Sequence, residues 1–143
     1  MLGITGYNYT DRTIGSFSVN GAGGDILRVS SPTSGGSGTA CCIVWHDGTK
    51  LPVMLRVEWV AESCLRRVTN RFGESRDALS NTYRETMVEF NGPVPDVPAY
   101  LEVHFYPDGR IAVEITDRDT EPRLKLDRSR EREPGRCKDD AKP

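Results

Sequence analysis

The stretch Gly6-Tyr7-Asn8-Tyr9-Thr10-Asp11-Arg12 is followed by Phe17-Ser18-Val19-Asn20-Gly21-Ala22-Gly23-Gly24, and then by the link Ser34-Gly35-Gly36-Ser37-Gly38 into Cys41-Cys42-Ile43-Val44-Trp45. It reads as strand, turn, strand, glycine loop and strand. Leu2 to Thr10 places Tyr7 and Tyr9 on one face of an extended segment. Thr10-Asp11-Arg12 supplies turn chemistry, because an aspartate can hold its own following backbone. Ile14 to Val19 alternates as a second strand, and Asn20-Gly21 tolerates the positive φ of a tight turn. Asp25 to Ser31 is expected to form a short third strand. The Gly/Ser-rich segment 32–39 lacks G-x-x-x-x-G-K-[ST] and precedes a strand, so it reads as a flexible connection or a loop passing close to another backbone, not a phosphate cradle. Ala40 to Trp45 is a continuous apolar run, expected to be covered on both faces.

Outward from there, Val53 to Val60 alternates, with Val53, Leu55, Val57 and Trp59 inward and Met54, Arg56 and Glu58 outward. Residues 61–79 are ambiguous. Cys64, Leu65, Val68 and Phe72 fall near helical spacing with Gly73 as a stop, and a long irregular loop pinned by Cys64 fits equally. Asn81 to Phe90 returns to strand, and Asn91-Gly92-Pro93-Val94-Pro95 makes a rigid crossing. Tyr100 to Tyr106, Pro107-Asp108-Gly109 and Ile111 to Ile115 form a hairpin with Leu101, Val103, Phe105, Ile111, Val113 and Ile115 inward. Seven to eight short strands of this kind predict an all-β, antiparallel sandwich or partly closed barrel over 1–116. Residues 117–143 are dominated by charge and are expected to be a disordered or weakly helical tail, too poor in apolar area to offset its ordering entropy.

The bulk composition of the 143 residues, 36% hydrophobic and 28% charged with a net charge of −2, describes one domain with a polar surface. It excludes a general nucleic-acid binder, which needs a basic face. Chemistry is sparse. His46 and His104 stand in no metal-ligand spacing, no G-x-S-x-G elbow marks a nucleophile, and Glu85 and Glu89 read as solvent-facing carboxylates. A hydrolase would require the fold to bring one of the histidines against a serine and an acid. No cofactor or metal is expected, and no enzyme activity. The four cysteines, Cys41, Cys42, Cys64 and Cys137, allow three pairings, and adjacent Cys41 and Cys42 on an extended strand would not pair easily with each other.

The motifs of the opening stretch, together with Leu101-Glu102-Val103-His104-Phe105-Tyr106-Pro107-Asp108-Gly109, resemble a bacterial envelope family of unknown-function (DUF3304-like) proteins, over roughly residues 2–116. These are small exported proteins, often lipoproteins, similar to periplasmic immunity proteins of type VI secretion phospholipase effectors. The resemblance implies a periplasmic inhibitor, monomeric or in a 1:1 complex with its lipase. Its native precursor would carry an export signal and a lipid anchor, neither of which is visible near Met1. It implies disulfides from Cys41 or Cys42 to Cys64. It also implies recognition by loops, with Tyr9, Asp11 and Arg12 at the first turn, Arg71 and Phe72 in the insertion, and Asp108 and Arg110 at the hairpin as candidates. The alternative is a non-catalytic envelope adaptor binding another secretion component.

Overall fold

The computed structural model describes residues 1–24, 26–36 and 38–138. The expectations that fall on Asp25, on Ser37 and on the last five residues of the tail lie outside the described residues. The strands are β1 (Leu2–Asn8), β2 (Phe17–Val19), β3 (Ala22–Gly23), β4 (Ala40–Ile43), β5 (Val53–Thr69), β6 (Ser75–Phe90), β7 (Tyr100–Phe105) and β8 (Ile111–Thr116). They form two four-stranded sheets, ordered β4-β1-β7-β8 and β3-β2-β5-β6, so the β-sandwich is the architecture and no barrel closes. One pair departs from the antiparallel pattern: β1 and β7 run parallel, with Ile4 beside Leu101 and Tyr7 beside His104.

The inward alternation of both sheets meets in one core of Leu2, Ile4, Phe17, Val19, Leu55, Val57, Leu101, Val103 and Phe105. Full burial of such side chains contributes about 1.5–3 kcal/mol each, which is what drives the two layers together. Phe17 meets Phe105 edge-on at 5.6 Å between centroids. The Tyr106–Arg110 turn closes β7 onto β8 as expected, and Asn20 (φ 50°) with Gly21 (φ 83°) closes β2 onto β3.

Four expectations need correction. First, residues 26–31 form no strand. After the Asn20-Gly21 turn the chain pairs back immediately as the two-residue β3. Residues 26–31 then run along the end of β1, held by a lone Ile14–Leu27 bridge and by the Ser30 N–H donating to the Asn8 carbonyl at 2.8 Å. Second, β4 is an edge strand with β1 as its partner in the sheet, and Cys41 and Val44 are exposed, so it is not covered on both faces.

Third, residues 61–79 contain neither helix nor irregular loop. The β5–β6 register runs unbroken from Val53↔Phe90 to Thr69↔Ser75 apart from a bulge between Val60 and Glu62. The helix-like spacing of Cys64, Leu65 and Val68 is overridden by this pairing. Gly73 serves the turn, where the Asn70 side-chain oxygen accepts from the Phe72 and Glu74 backbone N–H groups at 2.9 and 3.0 Å. From Glu62 to Thr69, β5 lies past its last pairing with β2 at Trp59, so the hairpin extends the sheet as an arm of roughly 25 Å.

Fourth, the tail from 117 to 138 is not a disordered extension but is docked as a strap, and its helical character is limited to one 3-10 turn, Arg128–Arg130. It compensates for its few apolar side chains with backbone and ionic contacts. The Arg128 side chain donates to the Val29 carbonyl at 3.0 Å, Glu131 pairs with Arg28 at 3.0 Å and Arg132 pairs with Asp11 at 3.2 Å. Residues 135–137 then run beside the arm, with the Leu65 N–H donating to the Gly135 carbonyl at 2.7 Å and the Cys137 N–H to the Leu65 carbonyl at 2.9 Å. Cys137 is disulfide-bonded to Cys64 (Cα–Cα 4.9 Å), and Cys41 is bonded to Cys42 across a cis peptide. The implied pairing of Cys64 with Cys41 or Cys42 is therefore wrong: docking of the strap brings Cys137 to Cys64.

The glycine loop is explained by close backbone approach. A Cβ on Gly36, whose φ is 110°, would lie 1.8 Å from the Arg28 carbonyl oxygen, and the Arg28 N–H donates to the Gly36 carbonyl at 3.1 Å. Gly36→Ala is expected to cost about 2 kcal/mol in denaturant unfolding, from overpacking and left-handed strain together. Gly38→Ala, where a Cβ meets nothing within 4 Å, is expected to be near neutral. Equal effects would show that the approach is not what requires glycine.

Candidate functional site

Of the seven expected partner-binding residues, five come together. Tyr9, Asp11, Arg12, Asp108 and Arg110 line one cleft of about 570 Å³ between the first turn, the β7–β8 turn and the Trp59–Arg84 pair of β5 and β6. Asp11 sits between Arg12 at 3.7 Å and Arg132 at 3.2 Å. The Asp108 carboxylate accepts from the Arg110 backbone N–H at 3.0 Å, and the Arg110 guanidinium lies over the Tyr106 ring at 4.3 Å. Arg71 and Phe72 are elsewhere, at the tip of the arm, with Arg71 over the Phe72 ring at 5.0 Å and Phe72 73% exposed. Tyr9 corrects the expectation of an anchoring side chain. It is 2% exposed with its hydroxyl engaged inside the protein, so it shapes the cleft wall.

What engages Tyr9 is a buried polar cluster between the outer face of β1 and β7 and the strap. Strand alternation puts Tyr7, Tyr9, Glu102 and His104 on the face opposite the core. The strap covers them, leaving His104 and Glu102 at 0% and 2% exposure. His104 stacks on Tyr7 with centroids 4.6 Å apart. One proton assignment gives every group a partner. Tyr9 accepts from the Arg123 N–H at 2.8 Å and donates to His104 Nδ1 at 2.9 Å, leaving His104 Nε2–H to donate to Glu102 Oε1 at 3.2 Å. The Thr120 hydroxyl donates to Glu102 Oε2, and the Tyr7 hydroxyl lies 2.9 Å from the Thr120 carbonyl. Among the described residues no buried side-chain polar atom lacks a partner.

The electrostatics follow from burial and from these bonds. Burial pushes the Glu102 carboxyl up, but hydrogen bonds from His104 and Thr120 outweigh it and hold the group below the usual glutamate value. Burial raises the Tyr7 hydroxyl, partly offset by Thr120, and raises Tyr9 to about 12 against the Arg123 backbone bond. Arg123 is lowered by desolvation but raised more by its bonds to Tyr106 and Glu114, the latter at 2.6 Å.

Chemically the cluster supports docking of the strap. Glu102, His104 and Glu114 bring ligand atoms within 4.8 Å of one another, as a metal site would, but the Arg123 guanidinium already supplies the cation at Glu114. His104 meets an acid and two tyrosines, with no serine hydroxyl among its partners, and His46 is exposed. Glu85 and Glu89 are solvent-facing, as their alternation implies.

Sequence reasoning placed His104 on an outer strand face and so missed its burial. The available signal was the pair of spaced motifs Tyr7-x-Tyr9 and Glu102-x-His104, whose shared faces carry more polar aromatic chemistry than a solvated surface needs.

A family model described as "Protein of unknown function (DUF3304)" matches residues 7–113, ending before the strap. No curated protein and no solved structure matches the chain.

Proposed function

Because the chain belongs to the DUF3304 family, whose function is unknown, we propose a role from its surface: a non-catalytic binding protein, acting as an immunity protein that holds and silences a type VI secretion phospholipase in the periplasm. The observation that carries this reading is the arm. Beyond the sandwich it displays Phe72 and Leu79, at 73% and 58% exposure, on a hairpin braced by the strap and by the Cys64–Cys137 disulfide, and Tyr83, 66% exposed, follows where β6 rejoins the sandwich opposite Val60. Leu79, Tyr83 and Met87 are four residues apart on one strand, so they share a face, spaced by Asn81 and Glu85, and expose apolar area of the kind that marks a protein contact. Bracing reduces the ordering cost of binding. Two disulfides suit an oxidising compartment.

The test is to mix the chain with a type VI secretion phospholipase and follow binding by calorimetry and lipase turnover. Binding at micromolar or tighter affinity with loss of turnover is expected, and Leu79→Ser/Tyr83→Ser should weaken it at least tenfold, about 1.4 kcal/mol, while leaving the melting temperature in place. Binding that leaves turnover intact would favour the adaptor. No binding at micromolar protein would remove the proposal.

A further inference from the structure

We infer that the cleft between the first turn and the β7–β8 hairpin receives an acidic segment of the partner protein, a carboxylate flanked by an apolar side chain. The inference rests on the protein-binding reading above and assigns it a second contact, separate from the arm. The base of the cleft is apolar, built on Trp59 and Phe105, while Arg12, Arg84, Arg110 and Arg130 stand around its mouth.

Arg84, Arg110 and Arg130 make no ion pair among the described residues. The cleft's own acids do not cancel them. Asp11 is shared between Arg12 and Arg132, and Asp108 is turned to the Arg110 backbone, which leaves Glu62 as the one acid of the cleft whose side chain has no partner among the described residues. One of the cations is also pre-oriented. Arg110 has its guanidinium set by stacking on Tyr106, while the β5–β6 register places Arg84 across from Trp59. A guanidinium whose plane is already set loses little freedom when it grips a carboxylate bidentately.

An arginine rim over a tryptophan floor matches the residue types that anchor protein contacts. A membrane or phosphate-dense surface fits less well, because Asp11, Glu62 and Asp108 interrupt the positive field and the whole chain carries −2.

The test uses the full chain with four probes: a blocked hexapeptide with a central Glu-Leu-Asp, its Gln-Leu-Asn counterpart, inorganic phosphate, and phosphatidylglycerol vesicles. The readout is the NMR shift of the Trp59 indole and the Arg84 and Arg110 guanidinium resonances. The acidic peptide should saturate these shifts below about 1 mM at low salt and weaken at least tenfold in 0.5 M salt and in Arg84→Gln/Arg110→Gln. The melting temperature of that variant serves as the folding control. Equal response to the neutral peptide, stronger response to phosphate or vesicles, or no response to the acidic peptide would each overturn the assignment. Unchanged affinity of Arg84→Gln/Arg110→Gln for the phospholipase would also overturn it while leaving the immunity reading in place.

Discussion

Replacing Cys137 by serine is expected to lower the unfolding free energy by about 4 kcal/mol, the loop-closure value for a bridge of this span. The Cys64–Cys137 bond joins residues 73 positions apart, so it removes a large loop from the unfolded ensemble. Cys64→Ser and the double variant Cys64→Ser/Cys137→Ser should match it, since each breaks the same link. Cys41→Ser/Cys42→Ser should cost little by comparison, because a bond between neighbours encloses no further chain. Urea unfolding with and without reductant measures this directly. Trypsin gives a local readout: Arg132 and Arg136 lie in the strap segment leading to the bond, and cleavage there should accelerate in Cys137→Ser under native conditions. An unfolding midpoint insensitive to reductant, or free thiols at Cys64 and Cys137 by intact mass, would defeat the prediction.

The bond also shows what could and could not be read from the chain. Strand alternation was legible wherever one face meets the core. Val53 to Val60, Leu101 to Phe105 and the Pro107-Asp108-Gly109 turn are formed as their patterns predict, because burial of one face fixes the register. The glycine link read as either a flexible connection or a close approach, and Gly36 against Arg28 is the close approach. Residues 61–69 were not legible, because an arm clear of the core has no buried face to impose period two, and Cys64, Leu65 and Val68 then mimic a helix. The strap failed for a different reason. Its docking relies on arginines, backbone groups and one cysteine meeting residues far away in the chain, several of them more than a hundred positions off, and a composition argument about apolar area cannot see such pairings. The same blind spot hid the site. Of the cleft, Asp11, Arg12, Asp108 and Arg110 were found because turns present polar side chains, while Trp59 and Arg84 arrive from strands. His104 looked solvent-facing only because the segment that covers it looked disordered.

That cover sets up the second large effect. His104→Ala is expected to cost about 3–5 kcal/mol, since it leaves the Glu102 carboxylate buried without its main partner and opens space beneath Tyr7. Glu102→Gln keeps the shape and an oxygen for His104 Nε2–H, so it should cost less, on the order of 1–2 kcal/mol. The pH dependence separates the electrostatic role from packing. Glu102 titrates lower in the folded protein than when unfolded, so its stabilisation is fully present above the unfolded carboxylate value. It is lost as pH falls through the lower folded value. Urea midpoints of the wild-type protein should therefore decline as pH drops below about 4.5, and the decline should be shallower in Glu102→Gln. Because Thr120 and Arg123 bond to the same cluster, protonating Glu102 should also loosen the strap, seen as weaker hydrogen-exchange protection of the Arg123 amide at about pH 3 than at about pH 6 once the intrinsic exchange rates are corrected for. Equal acid slopes for the two proteins would show that Glu102 is held by packing alone. A neutral His104→Ala would show that the cluster contributes nothing to stability.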